Sequence, residues 1–154
     1  MRPMIRVQAK PFDPVAELAA FRHDDSGAMA SFIGYCRAHH GDAKVEALEL
    51  EHYPGFTESE IARIVDDVRT RGVRRGLQDM LVVHRTGRIR PGEAIVLVAA
   101  LSSHRAEAFA AVEEVMDYLK TDAPFWKREI RDDGAHWIEP TAADQARAGQ
   151  HKRG

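Results

Sequence analysis

Residues 94–101 read Ala-Ile-Val-Leu-Val-Ala-Ala-Leu, eight apolar side chains in succession. Side chains of a strand alternate between its two faces, so a strand of this kind has no face to give to water. It belongs in the middle of a sheet that is covered on both sides. The run is far too short to cross a membrane, and no apolar stretch in the chain reaches the 18 or so residues that a spanning helix requires.

The cover is legible on either side of that run. Ser102-Ser103 opens a long helix with Phe109, Val112, Val115, Met116 and Leu119 at helical spacing. Thr57 with Glu60 makes a capping-box spacing ahead of Ile61, Ile64, Val65 and Val68. Asp13-Pro14 pairs an N-cap residue with a proline at the first helical position, and Val15, Leu18, Ala19 and Phe21 are expected on the inner face of a short helix. Strands are expected over Met4–Ala9, over Ala28–Arg37 with an interruption at Gly34, over Val45–Tyr53, and over Leu77–Arg85. Phe125–Ile130 and His136–Ile138 are expected to close a hairpin around Asp132-Asp133-Gly134. Residues 38–44 and 87–92 read as loops, and 141–154 as a polar, flexible tail after a domain of residues 1–140. The sum is an α+β single domain with a mixed or antiparallel sheet and about three helices.

At 154 residues the chain fits one domain, and 22 basic against 24 acidic residues leave a net charge of −2. That balance argues against a general nucleic-acid or membrane surface, so any cationic site must be local. The lone Cys36 excludes an internal disulfide and a paired-cysteine metal or redox site. Together with an N-terminus lacking a long apolar stretch, it points to a cytoplasmic protein.

The densest chemistry lies in Met116–Glu129, where Lys120 ends the long helix and Lys127 and Arg128 follow a Pro124-Phe125-Trp126 step. Seven residues on one helix would separate the two lysines by roughly 10 Å of rise, but the proline turns the chain and can bring both ammonium groups to one place. Such a pair suits an anion or a reactive carbonyl; Lys120 alone would equally suit the negative end of a helix dipole. His104 and Arg105 stand at the opposite end of that helix, either as an anion site or as solvated side chains beside a Ser103 cap. Arg105 and Lys120 are 15 residues apart, roughly 22 Å along a helix, so one small pocket in one chain cannot hold both. Phe32-x-Gly34-x-x-Arg37 sets an aromatic ring, a bulge-permitting glycine and a guanidinium near a strand end. Cys36 reads either as a weak candidate nucleophile or as a small buried hydrophobe. Glu51-His52 lacks a second ligand at a zinc spacing, and the His84-Arg85-x-Gly87 stretch reads as structural.

Taken in order, Phe32-x-Gly34-x-x-Arg37, Leu50-Glu51-His52-Tyr53-Pro54-Gly55, His84-Arg85-x-Gly87, Pro91-Gly92-Glu93, Ser103-His104-Arg105, Met116-Asp-Tyr-Leu-Lys120 and Ala123-Pro-Phe-Trp-Lys-Arg-Glu129 resemble the large, catalytic subunit of molybdopterin synthase. The resemblance covers roughly residues 4–140. It departs from the family pattern at Cys36, where valine is common, and in a slightly short 38–44 loop.

The resemblance implies an α+β fold with an α/β-hammerhead-like element and a sulfurtransferase activity. That activity converts cyclic pyranopterin monophosphate to molybdopterin, with sulfur supplied by the C-terminal thiocarboxylate of a small ubiquitin-like partner subunit. The carrier is expected as a separate chain, in a heterotetramer built on a homodimer of large subunits. It implies Lys120 and Lys127 as catalytic residues. Substrate contacts are expected from Tyr35, Cys36, Arg37, His104, Arg105, Lys120, Lys127, Arg128 and Glu129, with Arg128 lowering a lysine pKa. No metal and no cofactor is expected. The competing readings are a non-catalytic module that binds the tail of a ubiquitin-like carrier, and an anion-binding subunit that only assembles a complex.

Overall fold

The computed structural model describes residues 3–71, 76–139 and 142–153. The apolar run lies where its composition demands. It forms β7 (Ala94–Ser102), flanked by β5 (Leu77–Arg85) and β2 (Ala28–Tyr35), with β1 (Met4–Gln8) parallel to β5 at the edge. Its alternating side chains feed two separate cores. Val96, Val98 and Ala100 pack toward α2 (Phe56–Arg71) and α3 (Arg105–Thr121), against Ile61, Ile64, Val65, Val68, Ala111 and Val115. Leu97, Ala99 and Leu101 face the other way, onto Phe21 and Leu18 beside α1 (Pro14–Ala20).

A second, antiparallel sheet holds β3 (His39–His40), β4 (Ala43–His52), β8 (Phe125–Arg131) and β9 (Gly134–Ile138), with β6 (Gly87–Ile89) also paired to β4. A third apolar cluster of Cys36, Val45, Leu48, Leu50 and Ile89 joins it to the first sheet. The domain is thus mixed α+β, with two sheets and four helices among the described residues.

Several local expectations change. Asp13 does cap α1, its Oδ1 accepting from the Val15 amide at 3.0 Å, but Val15 itself is 73% exposed, and Phe21 and Leu18 supply the inner contacts. The cap of α2 shifts by two residues: Glu58 accepts from the Gly55 amide at 2.9 Å, while Glu60 pairs with Arg63. Thr57 is fully buried, accepting from the Tyr53 amide and donating to the Pro124 carbonyl. Phe109 on α3 is 64% exposed rather than inward. The 38–44 and 87–92 loops each hold a short strand, β3 and β6, because β4 extends far enough to pair with both.

The largest difference lies beyond residue 140. Ala142–Arg153 forms helix α4 instead of a loose tail; Thr141 and Gly154 lie outside the described residues. Alanine-rich sequence favours helix, and α4 docks on α3. Ala148 is buried, His151 Nε2 lies 2.7 Å from Asp117 Oδ2, and Arg147 Nε lies 3.4 Å from Asp117 Oδ1. No large apolar side chain marks this docking, which is why hydrophobic periodicity does not reveal it.

Candidate active site

The turn between α3 and β8 makes the site. Asp122 caps α3 with its amide bonded to the Tyr118 carbonyl at 2.7 Å, and Pro124 prevents the helix from continuing. The Thr57 hydroxyl holds the Pro124 carbonyl at 3.1 Å, so α2 fixes the turn from below. Phe125 opens β8 and stacks on His84 of β5, with ring centroids 4.0 Å apart and planes 18° from parallel. Lys120, in the last turn of α3, and Lys127, on β8, are thereby brought to a common wall.

Two recesses meet at that wall. One is lined by Phe32, Tyr35, His84, Met116, Lys120 and Lys127. The other is lined by Ala123, Phe125, Ile138, Glu139, Asp144 and the same two lysines. Gly34 belongs to the first. β2 shifts register between Gly34 and Tyr35, and a Cβ at Gly34 would stand 2.9 Å from Val96 Cγ1, so the close approach of the two strands there favours glycine.

The electrostatics are those of crowded cations in a partly dry place. Burial, and then the charge of Lys120, push the Lys127 ammonium below the ordinary lysine range, with Asp144 opposing. Arg128, expected to perform that role, does not. Neighbours along a strand face opposite sides, so Arg128 points away from Lys127. It hydrogen-bonds Glu49 through Nε at 3.1 Å and lies over the Trp137 ring at 5.7 Å, beside Arg88 and Trp126.

The remaining expected residues scatter. Tyr35 lines the first recess at its rim. Cys36 is 5% exposed, its side chain turned into the inter-sheet cluster; burial and the Glu129 charge raise its thiol pKa, which disfavours the reactive thiolate. Glu129 is buried and sits two residues from Lys127 on the same face of β8. It pairs with Arg131 at 2.6 Å, His40 at 3.4 Å and Arg37 at 3.7 Å, so Arg37 is tethered near the lysine wall without lining either recess. His104 and Arg105 are exposed at the far end of α3. Ser103 does not cap that helix; the Ser102 hydroxyl accepts from the His104 amide at 3.2 Å.

His84 is the site residue that sequence reading assigned to structure alone. It is 3% exposed, and burial lowers its pKa to about 3, so the ring is neutral. Its Nδ1 lies 2.9 Å from the Arg85 carbonyl. Among the described residues, no group of three His, Cys, Asp or Glu side chains is placed to hold a metal, and no helix is long and apolar enough to cross a membrane.

Residues 7–122 match the family model described as MoaE protein. The chain belongs to the MoaE family. It is 50% identical over 145 residues to the molybdopterin synthase catalytic subunit of Ralstonia nicotianae, covering 93% of this chain and 81% of that protein. It is 48% identical over 147 residues to the protein of the same name in Caulobacter vibrioides, covering 94% and 95%. Among solved structures, the molybdopterin biosynthesis MoaE protein of Burkholderia ambifaria superposes with a TM-score of 0.78 at 44% identity, covering 96% of this chain and 99% of that one. The resemblance drawn from the ordered motifs therefore holds, and the α+β fold of this MoaE-family chain is shared with its relatives.

Proposed function

We propose that this chain is the catalytic subunit of a molybdopterin synthase. In this reading it converts cyclic pyranopterin monophosphate to molybdopterin with sulfur from the C-terminal thiocarboxylate of a small ubiquitin-like partner. The observation that carries the reading is the pair of recesses that share Lys120 and Lys127. Sulfur transfer between two anionic substrates needs both to arrive at one point from different directions, with cations at the meeting place to offset the charge. One recess suits the carrier's tail and the other the pterin, and the lysines stand between them.

In this mechanism the two lysines divide the acyl and proton work. An ammonium donates to the tail's acyl oxygen as charge gathers there during attack. Lys127, whose pKa burial and the Lys120 charge lower, is suited to exchange a proton with the reacting groups. Arg37, positioned by Glu129, and Arg128, on the outer face of β8, would meet the phosphate or pterin only at the site's margins. His104 and Arg105 would serve the site of a second large subunit, in a homodimer at the centre of a heterotetramer. A dimer-disrupting variant that retains full turnover would contradict that assignment. The lone, buried Cys36 is in keeping with a cytoplasmic setting.

The alternative, a module that merely binds the carrier's tail, differs in one measurable respect. With Lys120→Ala and Lys127→Ala, a synthase loses conversion of the cyclic precursor while partner affinity stays within a few-fold of native. A binding module would instead lose affinity for the carrier.

A further inference from the structure

We infer that His84 contacts the substrate, as a hydrogen-bond acceptor through Nε2 for an N–H or O–H group of the molecule held in the lysine recess. The inference rests on the synthase reading and adds a recognition element to it.

The tautomer follows from the backbone. Nδ1 faces the Arg85 carbonyl at 2.9 Å, and a carbonyl only accepts, so Nδ1 carries the proton and Nε2 the lone pair. The ring plane is held as well, by the parallel stack on Phe125. Burial keeps the ring uncharged, and Lys127 on β8 and His52 on β4 press in the same direction. Lys120 on α3 adds a second ammonium to the same recess. The result is a preset acceptor whose state does not change across the physiological range.

The recess supplies reason for such a group. As ammonium ions Lys120 and Lys127 only donate, and Ile33, Ile95, Val96 and Leu119 in the wall offer no polar side-chain atom. A phosphate satisfies the lysines, but a reduced pterin also presents ring N–H groups, and these need an acceptor once they leave water. The Tyr35 hydroxyl lies at the exposed rim, which leaves the His84 imidazole as the enclosed side-chain acceptor of this wall. A site built to pair a donor rejects ligands that lack it, so His84 would also contribute to specificity for the heterocycle.

Three variants separate this role from a packing role, each studied in the complex with the thiocarboxylated partner. Gln at position 84 can place an amide near Nε2; Asn can place one near Nδ1, keeping the Arg85 bond; Phe keeps only the stack. The expected result is a rise in KM, and in the Kd for cyclic pyranopterin monophosphate, of about tenfold or more in His84→Asn and His84→Phe. His84→Gln should stay within a few-fold of native, with partner affinity unchanged throughout. The pH–rate profiles of native and His84→Gln should superimpose between about pH 5 and 8. If His84→Phe fails to fold, the Asn and Gln pair still decides. Unchanged KM and Kd in a folded His84→Asn would overturn the inference while leaving the synthase reading intact. So would a native limb near pH 6–7 that vanishes in His84→Gln. A native complex that neither binds nor converts the precursor would overturn both.

Discussion

Replacing Lys127 by Met separates turnover from stability. Lys127 sits in the middle of β8, paired in register with Leu50 on one side and Ile138 on the other. Folding dehydrates its ammonium and brings the Lys120 charge beside it, and both effects lower its pKa. A lysine with a depressed folded-state pKa costs stability in full below that pKa. The cost fades as pH rises toward the unfolded value of 10.5, where both states have lost the proton. Met retains the aliphatic stem and removes the charge. The gain at pH 7 is on the order of 1 kcal/mol, at the lower end of what replacing buried charges by apolar groups yields. For a domain of this size that is about 2–4 °C in Tm. Above about pH 10.5 the gain should disappear. Turnover moves the other way: one preorganised donor in an enclosed site contributes about 10²–10³ in rate, or roughly 2.7–4 kcal/mol of barrier. Urea unfolding at pH 7 and pH 10.5, beside single-turnover conversion, measures both. A Lys127→Met protein that is less stable at pH 7, or that converts precursor within tenfold of native, would refute the reasoning.

Other perturbations test the supports of the site. Asp117→Ala removes the carboxylate that His151 hydrogen-bonds and that Arg147, which also bonds Asp144, pairs with; it should cost about 1–3 kcal/mol and speed amide exchange across 142–153 before α3 is affected. Unchanged exchange there would mean that α4 is held by other contacts. Thr57→Val leaves the Tyr53 amide and Pro124 carbonyl without their shared hydroxyl; a loss of about 1–3 kcal/mol is expected in denaturant titration, with a parallel drop in turnover as the turn before Lys127 loosens. Cys36 should react slowly with a thiol reagent at pH 7 in the folded protein and rapidly once unfolded, because burial and Glu129 keep the thiolate scarce. Rapid labelling without denaturant would contradict its placement in the inter-sheet cluster.

Much of this fold was written in simple patterns. Eight apolar residues in a row marked β7 as central, and alternation or helical spacing located β5, α2, α3 and the β8–β9 hairpin. What escaped were elements whose stability comes from elsewhere. β3 and β6 exist because β4 is long enough to pair with them, and α4 is held by Asp117 rather than by an apolar stripe. The lysine pair was foreseeable because proline must break α3 between Lys120 and Lys127. Which way Arg128 points was foreseeable too, since alternation along the expected Phe125–Ile130 strand opposes it to Lys127. His84 gave no local sign of its place: it looks like one polar residue ending an apolar strand, and only the stack with Phe125, 41 positions later, puts it beside the lysines.

Passage of sulfur from a carrier's tail to a pterin at the wall formed by Lys120 and Lys127 is tested by mass analysis of the product formed from cyclic pyranopterin monophosphate by the native chain with a thiocarboxylated partner. The expected product is a dithiolene carrying two new sulfurs, with none when the partner ends in an ordinary carboxylate. Formation should be at least a hundredfold slower with Lys127→Ala, because one enclosed donor is worth about 10²–10³ in rate. Absence of dithiolene product from the native pair, under conditions in which a known synthase is active, would contradict it.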